Sequence, residues 1–206
     1  MELSFPKLYP ITDLRLSGIP HEDQIESLVA GGATLIQLRD KTASPRELYD
    51  SALAAVKIAR RLGVLLIIND RVDVAIAAGA DGVHLGQDDL PPERARALLG
   101  PDRVIGFSTH TLEQATAANS LPIDYVAIGP MFQTSTKEKP DPVVELEVLG
   151  EIKRRISKPL VAIGGITLER AGLVIEAGAD SVAVISDLHS TGDLTERTRE
   201  FLQRLS

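Results

Sequence analysis

At three points along the chain a helical pattern stops at a Gly-Ala-Asp or Gly-Ala-Thr turn and gives way to a short run of strand-forming residues. The unit reads Ala30-Gly31-Gly32-Ala33-Thr34 before Leu35-Ile36-Gln37-Leu38, and Gly79-Ala80-Asp81 before Gly82-Val83-His84-Leu85. It returns as Gly178-Ala179-Asp180 before Ser181-Val182-Ala183-Val184-Ile185. Glycine supplies the left-handed helix stop that a side chain disfavours. Recurrence of one helix-to-strand joint points to an alternating α/β architecture.

Apolar runs bounded by turn signals predict eight strands, beginning near Lys7, Thr34, Val64, Asp81, Val104, Tyr125, Leu160 and Ser181. The clearest helical patterns between them are Pro45 to Leu62, with Ser44 as cap and Pro45 in the first turn, and Leu168 to Ala177 with Thr167 as cap. Eight strand-then-helix units in 206 residues predict a single-domain (β/α)8 barrel of parallel strands spanning residues 1–206. Runs such as Val64-Leu65-Leu66-Ile67-Ile68 lack polar alternation, as strands covered on both faces should. An open doubly wound sheet is the alternative, but no Gly-rich dinucleotide fingerprint follows the first strand. In a barrel, chemistry belongs at the carboxyl ends of the strands, where the loops share one mouth.

Composition narrows the ligands. The chain has no cysteine, which excludes disulfides, thiolate metal sites and cysteine nucleophiles. A net charge of −7 argues against a nucleic-acid surface, so an anionic ligand has to be held by a local cluster. No apolar run approaches a membrane span, and the stretch Met1 to Pro6 lacks a basic segment followed by a signal-like core, so a cytoplasmic location is expected.

The strand ends carry the candidate chemistry. Gln37, Arg39 and Lys41 alternate off the end of the second strand, so a polar group and two cations share one face in an anion-binding arrangement. Solvated charges leaving the sheet edge would read the same. Asp70 follows the third strand in Asn69-Asp70-Arg71, and Asp89 follows the fourth in Gly86-Gln87-Asp88-Asp89. Carboxylates on adjacent strands can share a magnesium ion completed by water and phosphate. Alternatively Asp70 caps a helix starting near Arg71, and Asp88 or Asp89 caps one after Pro91 and Pro92. Ser108 and His110 share parity after the fifth strand, placed to hydrogen-bond a substrate or shuttle a proton, or merely to begin a helix. The longest loop, Gly129 to Pro140, presents Thr134, Ser135, Thr136 and Lys137, donors suited to phosphate oxygens on a loop long enough to close over a ligand. Gly164-Gly165 after the seventh strand and Ile185-Ser186 after the eighth lie where barrels commonly bind phosphate through backbone amides. Two separate anion sites imply two phosphorylated substrates meeting in one mouth.

With these motifs in order, the chain resembles the thiamine phosphate synthase family along nearly its whole length. The motifs are Gln37-Leu38-Arg39-Asp40-Lys41, Ile68-Asn69-Asp70-Arg71, Gly82 to Asp89, Ser108-Thr109-His110, Thr134-Ser135-Thr136-Lys137 and Ile163-Gly164-Gly165-Ile166. The resemblance implies a (β/α)8 barrel that joins 4-amino-2-methyl-5-hydroxymethylpyrimidine pyrophosphate to 4-methyl-5-(2-hydroxyethyl)thiazole phosphate, with Mg²⁺ required. It implies that Arg39, Lys41, Asn69 and Lys137 hold the pyrophosphate and that Asp70 and Asp89 bind its magnesium. Gln37 and Ser108 would then orient the pyrimidine, and Thr134 and Thr136 would lie near the phosphates and thiazole. Gly165, Ile185 and Ser186 would receive the thiazole phosphate. Lys137, Ser108 and Arg39 are the groups expected to act on the reaction itself, an alkyl transfer needing no protein nucleophile. Barrels often pair, so a homodimer is a further expectation. One departure stands out: Glu145 occupies about the place where the family commonly carries glycine. The competing readings are a thiazole tautomerase using His110, which has no need of the pyrophosphate and magnesium set, and a non-catalytic regulator that binds a thiamine precursor.

Overall fold

In the computed structural model, which describes residues 5–134 and 141–206, eight parallel strands among the described residues pair in sequence order and close into a barrel. They are β1 (Leu8–Asp13), β2 (Leu35–Arg39), β3 (Leu65–Asn69), β4 (Gly82–Leu85), β5 (Val104–Thr109), β6 (Tyr125–Ile128), β7 (Leu160–Ile163) and β8 (Ser181–Val184). Each begins at or within a residue of its predicted start, and β8 returns to pair with β1. The open sheet is thereby excluded.

The helices are α1 (Leu14–Ser17), α2 (His21–Ala30), α3 (Pro45–Leu62), α4 (Val72–Ala78), α5 (Pro92–Leu99), α6 (Leu112–Ala118), α7 (Leu146–Arg155), α8 (Leu168–Glu176) and α9 (Leu194–Leu205), with a 3₁₀ turn at Ser186–His189. Local chemistry sets both ends of α3: the Ser44 hydroxyl accepts from the Glu47 amide, the Glu47 carboxylate accepts from the Ser44 amide, and Gly63 takes a left-handed conformation after Leu62. At α8 the expectation is half met. Thr167 occupies the cap position but its side chain makes no capping bond, and the Leu168 amide donates instead to Asp187 Oδ2 at 3.0 Å.

The strands bury both faces, which explains their unbroken apolar sequences. Tyr9, Ile11, Leu35, Ile67, Tyr125, Ala127, Val161 and Ala183 fill the barrel interior. Their neighbours, among them Leu66, Ile68, Val83, Val126 and Leu160, pack outward against the helices. The aspartates just before β4, β6 and β8, two of them in the recurring Gly-Ala-Asp turns, have a structural task. Asp81 accepts the Leu66 amide at 2.8 Å, Asp124 the Ile105 amide at 2.7 Å, and Asp180 the Leu160 amide at 2.7 Å. Each carboxylate at the start of an even-numbered strand thus ties down the strand before it. Polar chemistry at this amino-terminal face reads as stability, leaving the opposite mouth for function.

Candidate active site

A cavity of about 1000 Å³ opens at the carboxyl ends of the strands. Gln37, Arg39 and Lys41 line it from the β2 side, Asn69, Asp70 and Asp89 from β3 and β4, and Ser108 from β5. Thr134, Gly165, Ile185 and Ser186 line it from the loops after β6, β7 and β8. Thr136 and Lys137, also expected at the site, lie outside the described residues.

The cations do not simply share a strand face. Only Gln37 and Arg39 belong to β2; Lys41 lies past its end, and its ammonium donates to Asp70 Oδ2. Arg39 Nη1 donates to Asp13 Oδ2 at 2.7 Å, its register partner on β1, and both side chains are largely buried. The edge-of-sheet reading fails for Arg39, because a solvated charge has no such partner. Asp40, between the two cations, folds back to accept from the Thr42 amide and hydroxyl and the Ala43 amide. Burial opposes its ionisation, but these bonds together hold its carboxyl below the usual range. The loop carrying Lys41 is therefore shaped before any ligand arrives.

Asp70 and Asp89 are not helix caps. The cap positions of α4 and α5 are Arg71 and Pro91, neither with a side-chain capping bond, and Asp88 also lines the cavity instead. Asp70 sits at φ 62°, the single left-handed non-glycine residue among the described residues, with its amide donating to the His84 carbonyl at 2.7 Å. Such a conformation in a residue other than glycine marks a position over-determined by its surroundings, often at a site of function. Asp89 Oδ2 accepts from the Gly86 amide at 2.7 Å. Burial pushes the Asp89 carboxyl up, and the Asp70 carboxylate beside it adds to the effect. Two crowded carboxylates of this kind favour a bound cation.

On the far side, backbones approach too closely for side chains. A Cβ on Gly165 would lie 2.5 Å from the Gln133 carbonyl oxygen, and one on Gly164 would lie 2.6 Å from Pro130 Cα. Both glycines have positive φ. The Phe132 amide donates to the Gly164 carbonyl at 3.0 Å, which fixes the approach to Thr134 beside the β7 loop. His110 lies past the end of β5, 2.7 Å from the Gly129 carbonyl oxygen through Nδ1 and 3.6 Å from Asp141 Oδ2.

Beneath Gln37 and Ser108 runs a buried polar chain that the sequence did not reveal. Gln37 Nε2 donates to Tyr9 Oη at 3.1 Å, and the Tyr9 and Tyr125 hydroxyls are 3.0 Å apart. His84 Nδ1 lies 2.8 Å from Tyr125 Oη, and His84 Nε2 lies 2.8 Å from Ser108 Oγ. The signal was there in part: Tyr9, Ile11 and Asp13 alternate on β1 as Gln37 and Arg39 do on β2. Which of those residues meet across the barrel could not be read from alternation.

Comparison with known proteins decides the family. Residues 8–188 match the family described as thiamine monophosphate synthase. The chain belongs to that family. It is 50% identical over 98% of its length to a thiamine-phosphate synthase of Koribacter versatilis, covering 97% of that protein. With a thiamine-phosphate synthase of Azorhizobium caulinodans it shares 47% identity over 93% of this chain and 91% of the other. Among solved structures, thiamine phosphate pyrophosphorylase from Pyrococcus furiosus superposes with a TM-score of 0.87 at 38% identity, over 97% of this chain and 95% of that one. As a member of the thiamine monophosphate synthase family the chain is an enzyme, a transferase of thiamine biosynthesis. No helix among the described residues is long and apolar enough to cross a membrane.

Two features can be placed against the family pattern. Glu145 is exposed at the cap of α7, at φ −69°, and does not line the cavity. Its backbone makes no demand for glycine, so the departure leaves the mouth as it is. His84 is held neutral: burial pushes its pKa down to about 4, with Asp70 opposing and Lys41 assisting. The unfolded chain, with histidine near 6.5, binds this proton more readily than the folded one, so stability rises with pH between about 4 and about 6.5. The shift corresponds to about 3 kcal/mol, and His21, also lowered chiefly by burial, acts in the same sense. Urea midpoints are expected to fall from pH 7.5 to pH 4.5, less steeply in His84→Gln. A midpoint flat over this range would show that His84 is not held neutral.

Proposed function

We propose that this member of the thiamine monophosphate synthase family joins 4-amino-2-methyl-5-hydroxymethylpyrimidine pyrophosphate to 4-methyl-5-(2-hydroxyethyl)thiazole phosphate, releasing pyrophosphate. The observation that supports the reading is one cavity lined by cations and carboxylates on one side and by glycine backbone on the other. Arg39, Lys41, Asp70 and Asp89 gather on the β2 to β4 side, and the Gly164-Gly165 backbone with Ser186 faces them.

The donor set fits magnesium. Among the described residues no cluster of three or more His, Cys, Asp or Glu side chains could hold a metal, so the protein offers a pair of carboxylates rather than a cage. Mg²⁺ suits such a pair, because it takes one or two carboxylates and fills its remaining positions from phosphate and water. Asp70 and Asp89 would hold it, and when bound it would neutralise charge on the departing pyrophosphate.

The chain's own groups do the rest. Arg39, Lys41, Asn69 and Lys137 bind the pyrophosphate, with the Lys41 loop preformed by Asp40. Gln37 and Ser108 orient the pyrimidine, while Gly165, Ile185, Ser186 and the Thr134 and Thr136 hydroxyls receive the thiazole phosphate. The bond from the methylene carbon to oxygen breaks with its electron pair leaving on pyrophosphate. Electron donation from the aminopyrimidine stabilises the methylene cation, and the thiazole nitrogen lone pair then forms the new carbon–nitrogen bond. Fixed cations and positioning supply the acceleration.

Purified protein incubated with both substrates and Mg²⁺ is expected to form thiamine phosphate, followed as its fluorescent oxidised derivative, and to lose this activity in EDTA. Absence of product from folded protein would reject the synthase reading. A second reading rests on His110, whose Nδ1 is anchored on the Gly129 carbonyl at the cavity wall, as a proton-transferring imidazole requires. Conversion of the thiazole tautomer without condensation would support it, and tight binding of a precursor without turnover would support a regulator.

A further inference from the structure

The chain of hydrogen bonds beneath the cavity takes its direction from Gln37, whose amide nitrogen faces Tyr9 Oη. Tyr9, Tyr125, His84 and Gln37 are buried, so each hydroxyl and ring nitrogen must be satisfied by the others. Gln37 Nε2 has protons to give and donates to Tyr9 Oη. Tyr9 therefore donates onward to Tyr125, its other polar neighbour. Tyr125, already accepting, must donate to His84 Nδ1, which is then the bare nitrogen. The ring proton falls on Nε2, which donates to Ser108 Oγ and turns the serine proton toward the cavity.

We infer that Tyr9, Tyr125 and His84 are positioning residues that set the hydrogen-bonding sense of Gln37 and Ser108 together, presenting one acceptor and one donor to the pyrimidine. Gln37 gives one amide proton to Tyr9 and offers Oε1, while Ser108 offers its O–H. An aminopyrimidine carries an exocyclic N–H donor and ring-nitrogen acceptors, the complement of that pair. A 4-oxo analogue sets a carbonyl where the amino donor was, against Gln37 Oε1, unless every proton in the chain reverses. The two residues lie on β2 and β5, three strands apart in the barrel, and the buried chain makes their choices one choice.

Gly106 is an independent sign that the chain is built. A Cβ there would lie 2.3 Å from Tyr125 Oη and 2.5 Å from His84 Nδ1, so a residue lacking a side chain keeps open the space in which the phenol and imidazole meet. Gly106 has an ordinary negative φ, and no conformational need accounts for it.

The inference rests on the synthase reading for its ligand but not for its geometry, and two measurements separate them. The first is the ¹⁵N spectrum of histidine-labelled, ligand-free protein, with His84 assigned by its absence in His84→Gln. A protonated Nε2 and a bare Nδ1 are expected; a proton on Nδ1, or an equal mixture of tautomers, overturns the direction whether or not the protein is a synthase. The second is kinetic. Tyr125→Phe deletes one hydroxyl from the chain, and Gly106→Ala displaces it while keeping every polar group. Each is expected to lower kcat/KM for the pyrimidine pyrophosphate about tenfold, the effect of one broken buried hydrogen bond, with the thiazole phosphate KM within about twofold of wild type. Each should also narrow the preference for the amino substrate over its 4-oxo analogue, which loss of packing alone would leave unchanged. Folded variants with wild-type pyrimidine kinetics and undiminished preference overturn the inference. A wild-type protein with no synthase activity defeats the ligand assignment, and the tautomer measurement still decides the chain.

Discussion

Replacing Asp70 with Asn is expected to lower synthase turnover about 10²- to 10³-fold, because Asp70 would hold the magnesium whose positive charge offsets that of the departing pyrophosphate, and losing one stabilising group of that kind costs about this much. Asn is the informative substitution because Asp70 sits at φ 62°, a conformation asparagine tolerates and alanine resists. The amide thus keeps its bond to the His84 carbonyl while the charge is lost. Lys41, which donates to the Asp70 carboxylate, loses its counter-ion at the same time. The variant should melt near the wild-type temperature, need far more Mg²⁺ for half-maximal rate, and bind pyrophosphate less tightly. Turnover close to wild type at low magnesium would remove Asp70 from the metal assignment and leave its strained backbone without a functional explanation.

Arg197→Leu is expected to destabilise the fold by about 3 kcal/mol, because removing one partner of a buried ion pair leaves the other charge uncompensated. Arg197 donates to Asp187 Oδ2 at 2.6 Å and to Glu200 Oε2 at 2.8 Å, with only 10% of its side chain exposed against 14% for Asp187. The same Asp187 oxygen accepts the Leu168 amide, so one carboxylate joins α9, the turn after β8 and the start of α8. Those are the elements that shape the Ser186 and Gly165 side of the mouth. Urea unfolding measures the loss, and the double variant with Asp187→Asn should recover part of it, since asparagine can still accept from Leu168 without a buried charge. A loss below about 1 kcal/mol would show that solvent already screens the pair. The thiazole phosphate KM should rise more than that of the pyrimidine substrate, because the loosened turn belongs to the β8 side.

What could be read in the sequence was what is local or periodic. The limits of α3 were legible because Ser44, Pro45, Glu47 and Gly63 act within a turn of the residues they cap. The strands were legible because residues covered on both faces must be apolar, and the polar residues Gln37, Arg39, Asn69, Asp70, Asp89 and Ser108 stood out where those runs end. Once a barrel was inferred, connectivity alone sent them to one mouth. The partners were decided only by tertiary structure. Tyr9 meets Tyr125 across 116 residues of sequence, His84 meets Tyr125 across 41, and Arg39 finds Asp13 through strand register. The alternative reading of Asp70 and Asp89 as helix caps failed because each acid has another partner, Lys41 from a neighbouring strand end for one and the Gly86 amide of its own loop for the other. For Asp70 the deciding partner came from beyond the end of a neighbouring strand, which capping rules do not see. Sequence by itself determined which chemical groups reach the mouth, because strand periodicity and chain order do that. Which group holds which, and hence which charges and protons are free for a ligand, was settled when closure brought distant strands to within hydrogen-bonding distance.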